Sequence, residues 1–228
     1  MKRFVCLGAV LLFGTIPLFA QEAPVHAGRV SVSVSGGPAL SVYENAFSYR
    51  DQGRTMDLLN MQGSFAVGYD FSETFGLRLQ AGLGKDSGAC NTRETSAHGF
   101  YPYSFSHVNT FVDAVINLSG LYGNATALRS KVYAGLGGAH TYGFTDSGHP
   151  WQKVNGKNTA FGFRGGFIEE YSFRSGLGIF IDVCGEAYTD NYNGLKPSEE
   201  DQKQYEGYAG FPLDLRGIIS FGLVYRFN

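Results

Sequence analysis

One pattern governs this chain from residue 28 to residue 227: apolar and polar side chains alternate with a period of two, in eight separate stretches. Successive side chains of a strand point to opposite faces of a sheet, so each stretch reads as a strand with one apolar and one polar face. In 28–35, Val30, Val32 and Val34 oppose Arg29, Ser31 and Ser33. In 63–71, Phe65, Val67, Tyr69 and Phe71 oppose Ser64, Gly68 and Asp70. In 75–83, Leu77, Leu79 and Leu83 oppose Arg78 and Gln80. The fourth stretch sets Val108, Val112, Ile116 and Leu118 against His107, Asn109 and Asp113. The fifth, near 132–142, is glycine-rich and less clean. The sixth sets Phe161, Phe163, Phe167 and Tyr171 against Arg164 and Glu170. The seventh sets Leu177, Ile179, Ile181 and Val183 against Asp182, Cys184 and Glu186. The eighth sets Leu215, Ile219, Phe221, Leu223, Tyr225 and Phe227 against Arg216, Ser220, Gly222 and Arg226.

The connections alternate in length. Those at 71–75 and 173–176 are tight and that at 119–130 is of medium length. Four others, at 43–56, 85–103, 145–158 and 189–212, are long and polar. Three short connections interleaved with four long ones suit an antiparallel meander that returns both termini to one end. No internal repeat and no second domain is expected.

The first 20 residues read as a secretory signal. Lys2 and Arg3 precede an apolar stretch from Phe4 to Phe19, and Ala20 offers a cleavage point. The division is therefore signal peptide 1–20 and barrel 21–228. Beyond it lies no run of the ~20 apolar residues that a spanning helix needs. A membrane would have to be crossed by strands. Charged residues make up only 17% of the chain, below the roughly 25% of a soluble domain, yet mean hydropathy is −0.11. A sheet with one face in lipid satisfies both. The formal charge of −2 gives no reason to expect nucleic acid as a partner.

In hydrocarbon every backbone N–H and C=O must pair within the protein, and an open sheet leaves two edges unpaired. Closure follows, and the expected fold is all-β: an eight-stranded antiparallel up-and-down transmembrane β-barrel. Its lumen would receive Arg29, Asp70, Arg78, Asp113, Arg164, Glu170, Asp182, Glu186, Arg216 and Arg226. Eight strands enclose a space just wide enough for side chains to fill, so these charges should form a packed ion-pair network, with a small pore as the alternative. Aromatic residues near the short turns, among them Tyr69, Phe71, Phe75, Tyr171, Phe173, Tyr225 and Phe227, suit a girdle at the membrane–water interface.

The segment from Ser220 to Phe227 resembles the C-terminal assembly signal of outer-membrane barrels. Ser220, Gly222, Tyr225 and Phe227 occupy its polar, glycine, hydrophobic and terminal aromatic places, with Asn228 following as a departure. With the eight-strand architecture, the chain resembles the small outer-membrane barrels of the OmpA-transmembrane/OmpX type. The resemblance implies an outer-membrane location, lipid as the surroundings, and the barrel-assembly machinery as a partner during biogenesis.

Chemistry is sparse. Some small barrels modify lipid A with His, Ser and an acidic residue at the lipid interface. Here His98, His107, His140 and His149 lie near outer strand ends or loops, with His107 the first candidate, yet no nucleophile–base spacing emerges. Cys90 and Cys184 lack neighbouring ligands at metal spacing, and a bridge between them is possible but not favoured. No catalytic residue, metal or cofactor is expected. The acidic last loop, with Glu199, Glu200, Asp201 and Glu206, is a solvated surface where a ligand could be met. The expected function is non-enzymatic, in envelope structure or surface interaction through the long loops. A secreted lipocalin-like barrel would share the strand number but point its apolar faces inward.

Overall fold

The computed structural model describes residues 29–42, 55–90, 101–121, 127–148, 154, 156–195 and 213–227, with the side chains of 42, 55 and 90 left aside. The proposed signal peptide and the acidic last loop lie outside the described residues. Eight antiparallel strands form a closed barrel, each paired with its sequence neighbours and the last with the first. They are β1 (Arg29–Val42), β2 (Leu59–Asp70), β3 (Phe75–Cys90), β4 (Tyr101–Asn117), β5 (Leu128–Tyr142), β6 (Lys157–Ser172), β7 (Leu177–Thr189) and β8 (Leu213–Arg226). A 3-10 turn, Thr55–Leu58, precedes β2, and one helical turn, Leu118–Leu121, follows β4. No helix among the described residues is long and apolar enough to cross a membrane.

The barrel closes where Ser31 pairs with Arg226 and Val34 with Leu223, so both ends of the described chain lie beside the short turns. The β2–β3 and β6–β7 turns are held by their own chemistry. Ser72 Oγ accepts from Phe75 N at 2.9 Å, and Gly176 takes a φ of +84° that side chains rarely tolerate. The β3–β4 hairpin is the longest, registering from Phe75↔Ile116 to Cys90↔Tyr101. A membrane needs only ~9–11 residues per tilted strand, so the loop ends of β3 and β4 extend beyond that length.

Apolar side chains face out on every strand. Val34, Leu79, Val112, Leu136, Phe161 and Phe221 are each 51–60% exposed. A soluble protein seldom leaves so continuous an apolar surface in water, and in a bilayer it is matched to acyl chains. This orientation excludes the lipocalin-like alternative. At the turn end, three of the four strands that descend to it finish on Tyr-x-Phe. Tyr69–Phe71, Tyr171–Phe173 and Tyr225–Phe227 each stand edge to face at centroid distances of 4.9, 5.2 and 5.0 Å. Placed two apart on one strand, both rings of a pair share the outer face.

Several details differ from the sequence expectation. The connection placed at 85–103 is strand at both ends, with β3 running to Cys90 and β4 starting at Tyr101. Leu118, placed on the fourth strand's apolar face, instead opens the helical turn, and β5 begins at Leu128, four residues early. The glycines that blur the pattern of β5 make room for large inward neighbours. A Cβ on Gly135 would lie 2.1 Å from Asp113 Oδ1, and one on Gly137 would lie 2.7 Å from the Phe111 ring.

Candidate functional site

The interior is built by parity. Eight of the ten charged residues assigned to the lumen are buried, Arg29 and Asp70 are half-buried at the turn end on the same inward parity, and the structure adds Asp86, Arg129, Lys131 and, at the loop end, Asp214. The first three additions were missed because β3 and β5 extend past the clean alternation. Asp86 shares the even parity of Arg78, and Arg129 and Lys131 continue the odd parity of Tyr133.

Seven of these charges form a chain of alternating sign. Asp182 Oδ2 lies 3.4 Å from Arg78 Nη1, and Arg78 Nε donates to Asp113 Oδ2 at 2.7 Å. Arg164 Nε donates to Asp113 Oδ1 at 2.7 Å and its Nη2 to Oδ2 at 2.5 Å, a forked pair. Arg164 Nη1 lies 4.0 Å from Glu186 Oε1. Arg216 Nη1 donates to Glu186 Oε2 at 2.7 Å, and its Nε lies 3.1 Å from Asp86 Oδ2. Aromatic faces cover the same guanidiniums. The Arg78 carbon lies 4.0 Å from the Tyr133 ring centroid and the Arg164 carbon 4.5 Å from that of Phe111. Burial of isolated charges would cost several kcal/mol apiece. Alternation along the barrel gives each charge an opposite neighbour.

A second cluster lies toward the turns. Glu170 accepts from Lys131 Nζ at 2.7 Å, from Arg226 Nη2 at 2.6 Å and from Arg226 Nη1. Ser172 Oγ donates to Glu170 at 2.7 Å, and Asp70 Oδ2 lies 4.0 Å from Arg226 Nε. Arg29 pairs in register with Asp70 but makes no ion pair among the described residues.

The loop end is capped from within. Tyr192 and Asn193, on the start of the β7–β8 connection, are fully buried. Tyr192 Oη donates to Asp86 Oδ2 at 2.5 Å and its ring stacks on Tyr188 at 4.2 Å. Asn193 donates to Asp214 through both its backbone N and Nδ2, at 3.0 and 2.9 Å, and its carbonyl accepts from Tyr103 Oη at 2.8 Å. Phe105 and Phe144 stack beside them at 4.7 Å.

His107 is placed inside this cap. It is fully buried, with Nδ1 3.3 Å from Asp86 Oδ2, and Asp86 also accepts from Ser41 Oγ at 3.0 Å. The side chain therefore does not reach the lipid interface where the enzymatic alternative needed it. His140 faces outward, 3.2 Å from Thr159 Oγ1, while His98 and His149 lie outside the described residues. Cys184 is a free thiol in the lumen. Of the four assembly-signal residues, Ser220 is buried in the lumen and Tyr225 and Phe227 face out. Gly222 lies beneath the Phe180 ring, which a Cβ there would meet at 2.3 Å.

These features define a class: a closed eight-stranded barrel, apolar outside and ion-paired within. No family model matches the chain, and no curated protein matches it. Solved structures do. Neisserial surface protein A is similar at a TM-score of 0.50 and 10% identity, over 87% of this chain and 97% of that one. A major outer membrane protein from Thermus thermophilus is similar at a TM-score of 0.50 and 14% identity, over 89% of this chain and 100% of that one. The chain has the fold of these small outer-membrane barrels.

Proposed function

We propose that the chain is a non-enzymatic outer-membrane barrel that contributes to envelope structure and, through its long loops, to contacts at the cell surface. One observation carries this reading: the wall faces lipid and the lumen is filled, so the ends are the places left for partners. The charge chain from Asp182 to Asp86 and the Tyr192–Asn193 cap occupy the space a small pore would need. The site of His107 speaks against lipid A chemistry at that residue. The four assembly-signal residues fit recognition of β8 by the barrel-assembly machinery, with Tyr225 and Phe227 presented outward.

Deleting 93–99 or 198–209 shortens a loop without touching a described strand. Each variant should keep the heat-modifiable gel mobility of a folded barrel, while the strain loses surface adhesion or detergent resistance. Deletion strains that adhere and resist detergent like wild type would overturn the loop role. Planar bilayers containing the purified barrel should show no steady conductance, and a stable open level would overturn the filled lumen.

A further inference from the structure

The ion pairing of the lumen is unequal along its length. Around the middle, Arg78 and Arg164 meet Asp113 and Asp182, one cation for each carboxylate. Near the turns, Arg29, Arg129, Lys131 and Arg226 meet only Asp70 and Glu170. Lys131 and Arg226 are both taken up by Glu170. Arg29 and Arg129 make no ion pair or side-chain hydrogen bond among the described residues. Arg129 is only 5% exposed, and its Nε has no hydrogen-bond partner there.

Both guanidiniums line one narrow cleft that opens at the turn end. Their strands, β1 and β5, stand four apart in an eight-stranded ring, so the two side chains reach the cleft from opposite walls. Asp70, Lys131 and Asn117 line it as well, and Glu73 supplies a carboxylate at its exposed rim. Even with Glu73 counted, cations outnumber carboxylates. A buried guanidinium without an acceptor is costly, and an ionised acceptor is the partner that recovers most of that cost.

We propose that this cleft is an anion site, and that it takes a phosphate group presented from the periplasmic side, with one oxygen in the cleft between Arg129 and Arg29. Arginine suits the role because its planar fork matches phosphate oxygens and keeps its charge at any physiological pH. The charge chain and the Tyr192 cap lie between this cleft and the loop end, so the ligand reaches it only from the turn side. The group comes either from free phosphate or from a phospholipid headgroup.

The full-length barrel, purified in a sugar detergent without phosphate, is titrated with inorganic phosphate at constant ionic strength and followed by 31P relaxation. Wild type should bind saturably. R129Q and R29Q should each weaken binding by at least roughly tenfold, the loss of one charge-assisted hydrogen bond. R174Q, at the exposed β6–β7 turn of the same end, should bind like wild type. Heat-modifiable mobility establishes that each variant is folded, and either arginine variant alone is sufficient should the other fail to fold. The titration is then repeated in phosphatidylglycerol nanodiscs. Equal binding there identifies a free ion, and loss of binding by the wild type there identifies competition from headgroups. Absence of saturable binding in detergent, or binding unchanged in both R129Q and R29Q, overturns the proposal.

Discussion

Asp113 shows how a single side chain can hold a barrel interior together. It is fully buried and accepts from both Arg78 and Arg164, whose other carboxylate neighbours stand farther off at 3.4 and 4.0 Å. Asp113→Asn keeps the shape and removes the charge, leaving two buried guanidiniums under-compensated. The expected loss is about 3–5 kcal/mol of unfolding free energy. Glu169, with an outward partner in Ser130 Oγ at 2.5 Å, is the contrast, and Glu169→Gln should cost about 1 kcal/mol or less. Urea titration of both variants in lipid vesicles measures the difference, and equal losses would show that the network is not the stabilising element. Gly222 makes a second case. A Cβ there would stand 2.3 Å from Phe180 Cζ and 2.6 Å from the Val34 carbonyl oxygen. Gly222→Ala should destabilise by about 1–3 kcal/mol through overpacking. Adding Phe180→Leu should recover part of that loss and no more, because the carbonyl contact remains. The same titration reads it, and full recovery would assign the whole clash to the ring.

At the level of the strand, one rule of parity decides what each residue meets, and it makes the cost of a misplaced charge depend on depth. Leu79 faces out beside Val67 and Val112, in the middle of the belt. Leu177 faces out at the turn end, next to Tyr225. Arginine at 79 should cost about 2–4 kcal/mol and arginine at 177 about 0–1 kcal/mol, which refolding into vesicles at graded urea distinguishes. Equal costs would mean that the belt is not in hydrocarbon. The same parity explains what could be read from the sequence. Strands β7 and β8 were legible because every second residue is large and apolar from Leu177 to Val183 and from Ile219 to Phe227, with Asp182, Glu186, Arg216 and Arg226 on the opposite parity. In β5 the rule is obscured, because Gly135 and Gly137 are shaped by Asp113 and Phe111 on the neighbouring strand, and only pairing reveals that. Asp86 was invisible as an interior charge because the outward residues beside it are polar, so alternation stops where the strand does not. The Tyr192–Asn193 cap carries no periodic signal at all. Its residues enter the lumen through contacts with Asp86, Asp214 and Tyr103, far away in sequence.

For the whole molecule, closure is the property from which the others derive, and it hangs on the one seam that joins the two ends of the chain. Each strand is hydrogen-bonded on both sides, so there is no edge at which unfolding could begin without breaking a ladder. The β1–β8 seam already contains a weak point. Pairing runs as far as Gly36↔Phe221 and resumes at Ala39↔Ile218, and between them stands Pro38, which has no N–H to give. A second break nearby should not be absorbed. Val34 pairs with Phe65 on one side and Leu223 on the other, and its side chain points into lipid. Val34→Pro removes a ladder bond and sets a ring against the neighbouring strand, whereas Val34→Ala alters only the lipid-facing surface. The proline variant should fail to give the compact, heat-modifiable band under refolding conditions in which the alanine variant gives it fully. Far-UV circular dichroism should show the loss across all eight strands together, because an opened sheet in hydrocarbon exposes two rows of unpaired backbone groups at once. If the proline variant instead kept most of its strand signal and a folded band, the seam would be dispensable, and closure would not be what holds the chain in the membrane.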